Sequence, residues 1–232
     1  MKLLHLNDCV MSKLLFQLMV LFMILLLVNS CKQATTYKQE TVVEEWIDLF
    51  NGNDLTGWIQ RNGEAKYTAE NGEIVGTTVL NTPNSFLCTE KDYADFILEF
   101  EVLVDTALNS GVQIRSHSIP EYNNGRVHGY QIEIDPSDRA WSGGIYDEAR
   151  RGWLANLENN EEGRKAFKNG EWNKYLVEAI GNTIKVWIND VPTAEYTDTL
   201  DDPSGFIGLQ VHSTNIDRLM QVKWREIRIL VK

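Results

Sequence analysis

Gly129-Tyr130-Gln131-Ile132-Glu133-Ile134-Asp135 decides the reading of this chain, because apolar and polar residues alternate through it without a break. Successive side chains of a strand point to opposite faces. Tyr130, Ile132 and Ile134 therefore go one way, and Gln131, Glu133 and Asp135 the other. The same period of two recurs in residues 97–104, 112–116, 175–180, 183–188 and 206–212, and a last strand is expected over 221–231. Asn51-Gly52, Asn62-Gly63, Asn71-Gly72, Gly181-Asn182 and Asn189-Asp190 punctuate these runs as turns. Many short strands with Gly/Asn turns predict an all-β sandwich or barrel. One short helix is predicted over 161–168. Residues 136–170 read as a long, irregular segment rich in Trp, Arg and carboxylates, and long ordered loops are disproportionately functional.

Outside that domain the chain changes character. Residues 14–28 are almost wholly apolar, preceded by Lys13 and followed by Asn29-Ser30-Cys31. A basic start, a short apolar run and a small residue before the cut describe a secretory signal over 1–30. The run is short for a spanning helix, which needs about 20 residues. Val28-Asn29-Ser30-Cys31 resembles a lipobox, so Cys31 is expected to be the lipidated first residue of a bacterial envelope lipoprotein. Met11 offers a tidier basic start than Met1. Residues 31–44 read as a polar tether and 45–232 as the folded domain. Of three cysteines, Cys9 lies in the signal and Cys31 at the cut, so an exported domain keeps Cys88 alone, with no internal disulfide. Cys88 sits in the apolar run Ser85-Phe86-Leu87-Cys88 and reads as a small buried hydrophobe.

Charge and motifs narrow the function. In 232 residues the formal net charge is −11, which argues against nucleic acid and against an anionic membrane surface, leaving a lipid anchor as the membrane link. The sequence lacks G-x-S-x-G, H-E-x-x-H, a P-loop and paired CxxC motifs. No cofactor is implied. A divalent metal held by Asp135, Asp138 or Asp147 stays open as a minor alternative, without an EF-hand match.

The polar faces of three strands are chemically unusual. Gln113 and Arg115 oppose Val112 and Ile114; Gln131, Glu133 and Asp135 oppose the apolar set above; Gln210 and His212 oppose Ile207, Leu209 and Val211. A solvated outer face is the plain alternative, but such faces favour Lys, Glu and Thr. Amides, carboxylates and guanidinium suit sugar hydroxyls, and aromatic rings cover sugar C–H faces. Trp141, in a turn-rich segment, is the best stacking candidate, with Tyr146, Trp153 and Trp172 nearby. A pair of carboxyls is what glycoside hydrolysis ordinarily uses. Yet Asp135 is followed by Pro136-Ser137-Asp138, which lacks the further Glu of jelly-roll glucanases.

Together the motifs resemble the 3-keto-disaccharide hydrolase domain family. They run from residues 48–58, Asp-Leu-Phe-Asn-Gly-Asn-Asp-Leu-Thr-Gly-Trp, through Tyr93-Ala94-Asp95-Phe96 and Asn109-Ser110-Gly111-Val112-Gln113-Ile114-Arg115. They continue with Gly129 to Asp135, Gly143-Gly144-Ile145-Tyr146-Asp147, Gly170-Glu171-Trp172-Asn173 and Gly205 to His212, in the family's order. The resemblance implies a concanavalin-A-like jelly roll of two curved antiparallel sheets, and action on glycosides oxidised to a ketone at carbon three. The family's usual strand reads Gly-aromatic-Glu-x-Gln. Here Gln131 and Glu133 stand in exchanged order, which leaves the assignment between positions open. For such chemistry Glu133 or Asp135 would be the base, Arg115 would hold the carbonyl or enolate, and His212 would supply the leaving-group proton. Gln113, Gln131, Gln210, Tyr146, Trp141 and Asp147 would bind the sugar. A non-catalytic carbohydrate-binding module, a conventional glycosidase and a structural envelope protein are the alternatives.

Overall fold

The computed structural model describes residues 45–200 and 202–232. The expected signal, Cys31 and the tether lie outside the described residues. The chain runs through β1 (Ile47–Asp48), β2 (Trp58–Arg61), β3 (Lys66–Glu70), β4 (Glu73–Thr77) and β5 (Ser85–Tyr93). It continues with β6 (Phe96–Val104), β7 (Ser110–His117), β8 (His128–Ile134), β9 (Ile145–Glu148), β10 (Gly152–Ala155) and a helix, α1 (Glu161–Ala166). β11 (Asn173–Ile180), β12 (Thr183–Ile188), β13 (Val191–Thr197), β14 (Gly205–Val211) and β15 (Gln221–Val231) complete it. The helix starts where Asn160 accepts the Gly163 amide at 2.9 Å and stops where Phe167 turns extended.

Two antiparallel sheets result. One runs β13-β12-β11-β6-β15-β4-β3, with β1 added on β15; the other runs β10-β9-β8-β7-β14-β5-β2. Phe96, Leu98, Phe100 and Val102 line the inner face of the first sheet, and Ile132, Ile134, Val112 and Leu209 that of the second. Phe100 stacks on Tyr175 at 4.9 Å, and Trp224 is fully buried. Turn chemistry sets the register: Asn71-Gly72 takes φ of 53° and 80° between β3 and β4, as a tight hairpin of right-twisted strands demands.

The sheets differ in their second faces. β6 and β12 alternate buried and part-exposed residues, the mark of one wet face. β8 and β14 are buried at every position. Within residues 136–170, β9 and β10 extend the second sheet beyond β8, while the helix packs against β13 of the first. The polar set on β7, β8 and β14 is therefore not a solvated wall.

Arg115 departs from the expected face. A β-bulge shifts the β7–β8 register between Ile114 and His117, and Arg115 takes φ of 45°. The extra residue swings its side chain away from Gln113. Its guanidinium donates to the Ala94, Gly181 and Ala179 carbonyls at 2.6–3.0 Å and pairs with Asp95 at 2.8 Å. It ties the β5–β6 and β11–β12 turns together and is no part of the polar cluster. Arg115→Met should strand the buried Ala179 carbonyl and release the Ala94 and Gly181 carbonyls and Asp95 to solvent, at a cost on the order of 2 kcal/mol, read by urea unfolding. Unchanged stability would contradict that role.

Candidate active site

Directly opposed residues of antiparallel strands share a face. Gln131 on β8 opposes Gln113 on β7 and Tyr146 on β9, and Glu133 opposes Gly111, which in turn opposes Gln210 on β14. Four residues expected at the site, Gln113, Gln131, Glu133 and Gln210, are thus brought together with Tyr146 beside them. All four strand residues are buried. Gly111 makes room for the cluster: a Cβ there would lie 2.6 Å from Gln131 Cδ.

The buried amides form a relay with one direction. Ser116 Oγ donates to Gln113 Oε1 at 2.8 Å, and Gln113 Nε2 to Gln131 Oε1 at 2.6 Å. Gln131 Nε2 then donates to Glu133 Oε2 at 2.9 Å. Asn109 Nδ2 donates to the other carboxylate oxygen at 2.7 Å. The Glu133 backbone is pinned as well, its N–H to Gly144 O at 3.0 Å and its carbonyl to Gly143 N at 2.8 Å.

Glu133 is 4% exposed, and its pKa is raised from 4.5 to about 7. Burial is the main cause, because a desolvated carboxylate favours its neutral form. The Asn109 and Gln131 hydrogen bonds pull the other way, the Asp135 charge pushes further up, and Arg139 pulls down. A carboxyl poised near neutrality can take and return a proton.

Around it lies a cavity of ≈ 220 Å³. Asn109, Gln131, Glu133 and Gln210 form one side; Arg139, Tyr146, Glu148, Trp153 and His212 complete it. Burial and the neighbouring Glu148 and Glu133 charges push the Tyr146 phenol up, so it stays a donor. His212 Nδ1 lies 2.8 Å from the Ser213 carbonyl, which can only accept. Nδ1 therefore carries a proton. A second cavity of ≈ 580 Å³ shares Glu148 and His212 and has Phe86, Asn84 and Asn124 in its lining.

Three further expectations are corrected. Asp135 is buried but does not line the cavity; it holds Arg139 Nε at 2.7 Å and the Ser137 amide at 3.1 Å. Asp147 opposes Tyr130, a core residue, so it faces inward, bound by Arg150 at 2.6 Å and by Arg151. Trp141 sits edge-on to Trp153 at 4.9 Å with Arg139 over its ring at 5.0 Å; Trp153 is the ring that lines the cavity. Asp135 and Asp147, two of the three carboxylates considered for a metal, are committed to arginines. Among the described residues no group of three or more His, Cys, Asp or Glu could hold a metal ion. Burial pushes the Cys88 thiol well up, leaving it a packed hydrophobe.

Asn109, Arg139 and Glu148 escaped the sequence reading, and Trp153, read there as an aromatic near Trp141, is the indole that lines the cavity. Arg139 is the cation that Arg115 was expected to be: its Nη2 is 3.5 Å from Glu133 Oε1, and it lies 5.1 Å from the Trp153 ring. Its signal was its place four residues after Asp135. Glu148 follows Tyr146 by two on β9, and Asn109 stands directly before β7.

The architecture is a concanavalin-A-like jelly-roll sandwich. A galectin-like protein of unknown function from Bacillus subtilis superposes with a TM-score of 0.60 at 11% identity, covering 80% of this chain and 98% of its own. A Parabacteroides distasonis protein, described provisionally as a glycosyl hydrolase, gives 0.58 at 18% identity, covering 81% and 94%. The carbohydrate-binding module CBM66 from Bacillus subtilis gives 0.56 at 16%, covering 75% and 96%. No protein of curated function matches the sequence. The family is set by sequence: residues 45–230 match the 3-keto-alpha-glucoside-1,2-lyase-like domain, and the chain belongs to that family.

The raised Glu133 pKa predicts a pH-dependent stability. Below about pH 4.5 the group is protonated folded or unfolded; between 4.5 and 7 the unfolded chain loses the proton first. Wild-type stability should fall across that window by on the order of 3 kcal/mol relative to Glu133→Gln, which cannot ionise. Unfolding of both proteins at pH 4.5 and 7.5 measures this, and parallel curves would contradict it.

Proposed function

We propose that this protein cleaves 3-keto glycosides by removing the proton at carbon two, expelling the glycosidic oxygen and adding water. The observation that carries the reading is Glu133: a buried carboxyl, tuned to about 7, on the floor of a polar cavity in a member of this family. A ketone at carbon three acidifies the carbon-two hydrogen. Glu133 takes that proton, and the electron pair moves into an enolate. Arg139, Asn109 and the Tyr146 hydroxyl are the donors at hand for the developing negative oxygen. The enolate collapses, restoring the ketone as the bond from carbon one to oxygen breaks. His212, on the cavity lining, is placed to pass the departing oxygen its proton. Water then adds at carbon one, passing its own proton to His212, and carbon two takes a proton from Glu133, which exchanges with solvent between the two steps.

The likeness to CBM66 favours sugar binding without chemistry as the second reading. A carboxyl that only accepted hydroxyl hydrogen bonds would gain nothing from a pKa near neutrality, which supports the catalytic reading. We also propose, from the sequence alone, export and lipid anchoring at Cys31.

Glu133→Gln should lower kcat for methyl 3-keto-α-D-glucopyranoside by roughly 10³-fold, in the range that general bases contribute. In the wild type kcat/KM should rise with pH through about 7 as Glu133 ionises. A variant that turns over at the wild-type rate, or a flat profile from pH 5 to 9, would remove Glu133 as the base.

A further inference from the structure

The amide relay leaves one buried atom without a partner. Gln210 is fully buried on β14, and its Nε2 donates to Gln131 Oε1 at 3.0 Å. Gln131 has no freedom to reverse this bond, because its own Nε2 is committed to Glu133 and its Oε1 already accepts from Gln113. Gln210 must turn its nitrogen to Gln131 and its oxygen away. That oxygen has no hydrogen-bond partner and is shut off from solvent, so a donating ligand must draw it toward the cavity that Gln210 lines.

An orphaned buried carbonyl is costly, roughly 1–3 kcal/mol, and a ligand that donates to it recovers the loss. A ketone or an ether oxygen cannot donate. A hydroxyl can. We propose that Gln210 is a specificity residue that admits the sugar only with a donating hydroxyl against its Oε1. The inference rests on the carbohydrate reading of the cavity, and is independent of proton abstraction.

The placement also orients the ring. Gln210 and Glu133 both flank Gly111, two strands apart, so about 10 Å separates their backbones. A pyranose fits over that span. The oxidised carbon must face the donors Arg139, Asn109 and Tyr146, because a ketone oxygen set against Gln210 Oε1 would pair two acceptors. The relay thus selects the pose as well as the ring.

Calorimetry with methyl α-D-glucopyranoside and its monodeoxy and monodeoxyfluoro analogues at carbons two, three, four and six tests this. Fluorine accepts weakly and never donates. At one position both analogues should bind about tenfold more weakly than the parent, as expected for one lost hydrogen bond that leaves a buried acceptor unpaired. In Gln210→Met, checked for folding by its thermal transition, the three ligands at that position should bind within twofold of one another. The proposal is overturned if fluorine restores binding at every position, if Gln210→Met keeps the discrimination, or if no glucoside binds. Should the variant not fold, the wild-type pattern decides. Turnover of the keto glycoside, measured separately, bears on the proton abstraction and leaves this pattern untouched.

Discussion

The site depends on a single electrostatic constraint: one carboxyl, Glu133, is placed where water solvates it poorly. A buried carboxylate is tolerated when fixed donors replace its lost hydration. Asn109 and the Ser116–Gln113–Gln131 relay are those donors, and each exists because its strand neighbour allows it. Gly111 leaves space for Gln131, and the register of β7, β8 and β14 puts three amides beside one carboxyl. Burial and hydrogen bonding then oppose one another, and the balance sits near neutral pH.

The surrounding charge pairs hold the frame rather than react. Asp198 accepts from Tyr130 and pairs with Arg151, whose partner Asp147 also holds Arg150. Arg150 reaches Asp202, which pairs with His117 at 2.8 Å. The Arg151 guanidinium holds the Asp198 carboxyl well below the usual range. This network fastens residues 147–151 to the segment after β13, so the edge that carries Tyr146 and Glu148 is anchored from behind. Arg139 acts at the front, joining Asp135, Glu133 and two indole rings.

Period-two alternation made the sandwich legible, with β12 and β15 bounded as expected and Gln113, Gln131, Glu133 and Gln210 on one face. The short strands β9 and β10 were hidden, since four residues hold too few alternations to stand out from a loop. The errors about Arg115 and Asp147 share one origin: parity along a strand is broken by a bulge at Arg115, and Asp147 lies on a strand whose parity had no reference until it paired with β8. Arg139 could not be read at all, and Trp153 was legible only as one of several aromatics near Trp141. Their contact with the site comes from how residues 136–155 fold back, which no local pattern encodes.

Proton abstraction next to the ketone is the core of the account, and solvent isotope reports it directly. When methyl 3-keto-α-D-glucopyranoside is turned over in D₂O, the released 3-keto sugar should carry deuterium at carbon two from the earliest time points, at a level above that of the keto sugar incubated alone. Release of a product that keeps its original hydrogen at carbon two would contradict it, and would point to direct displacement at carbon one.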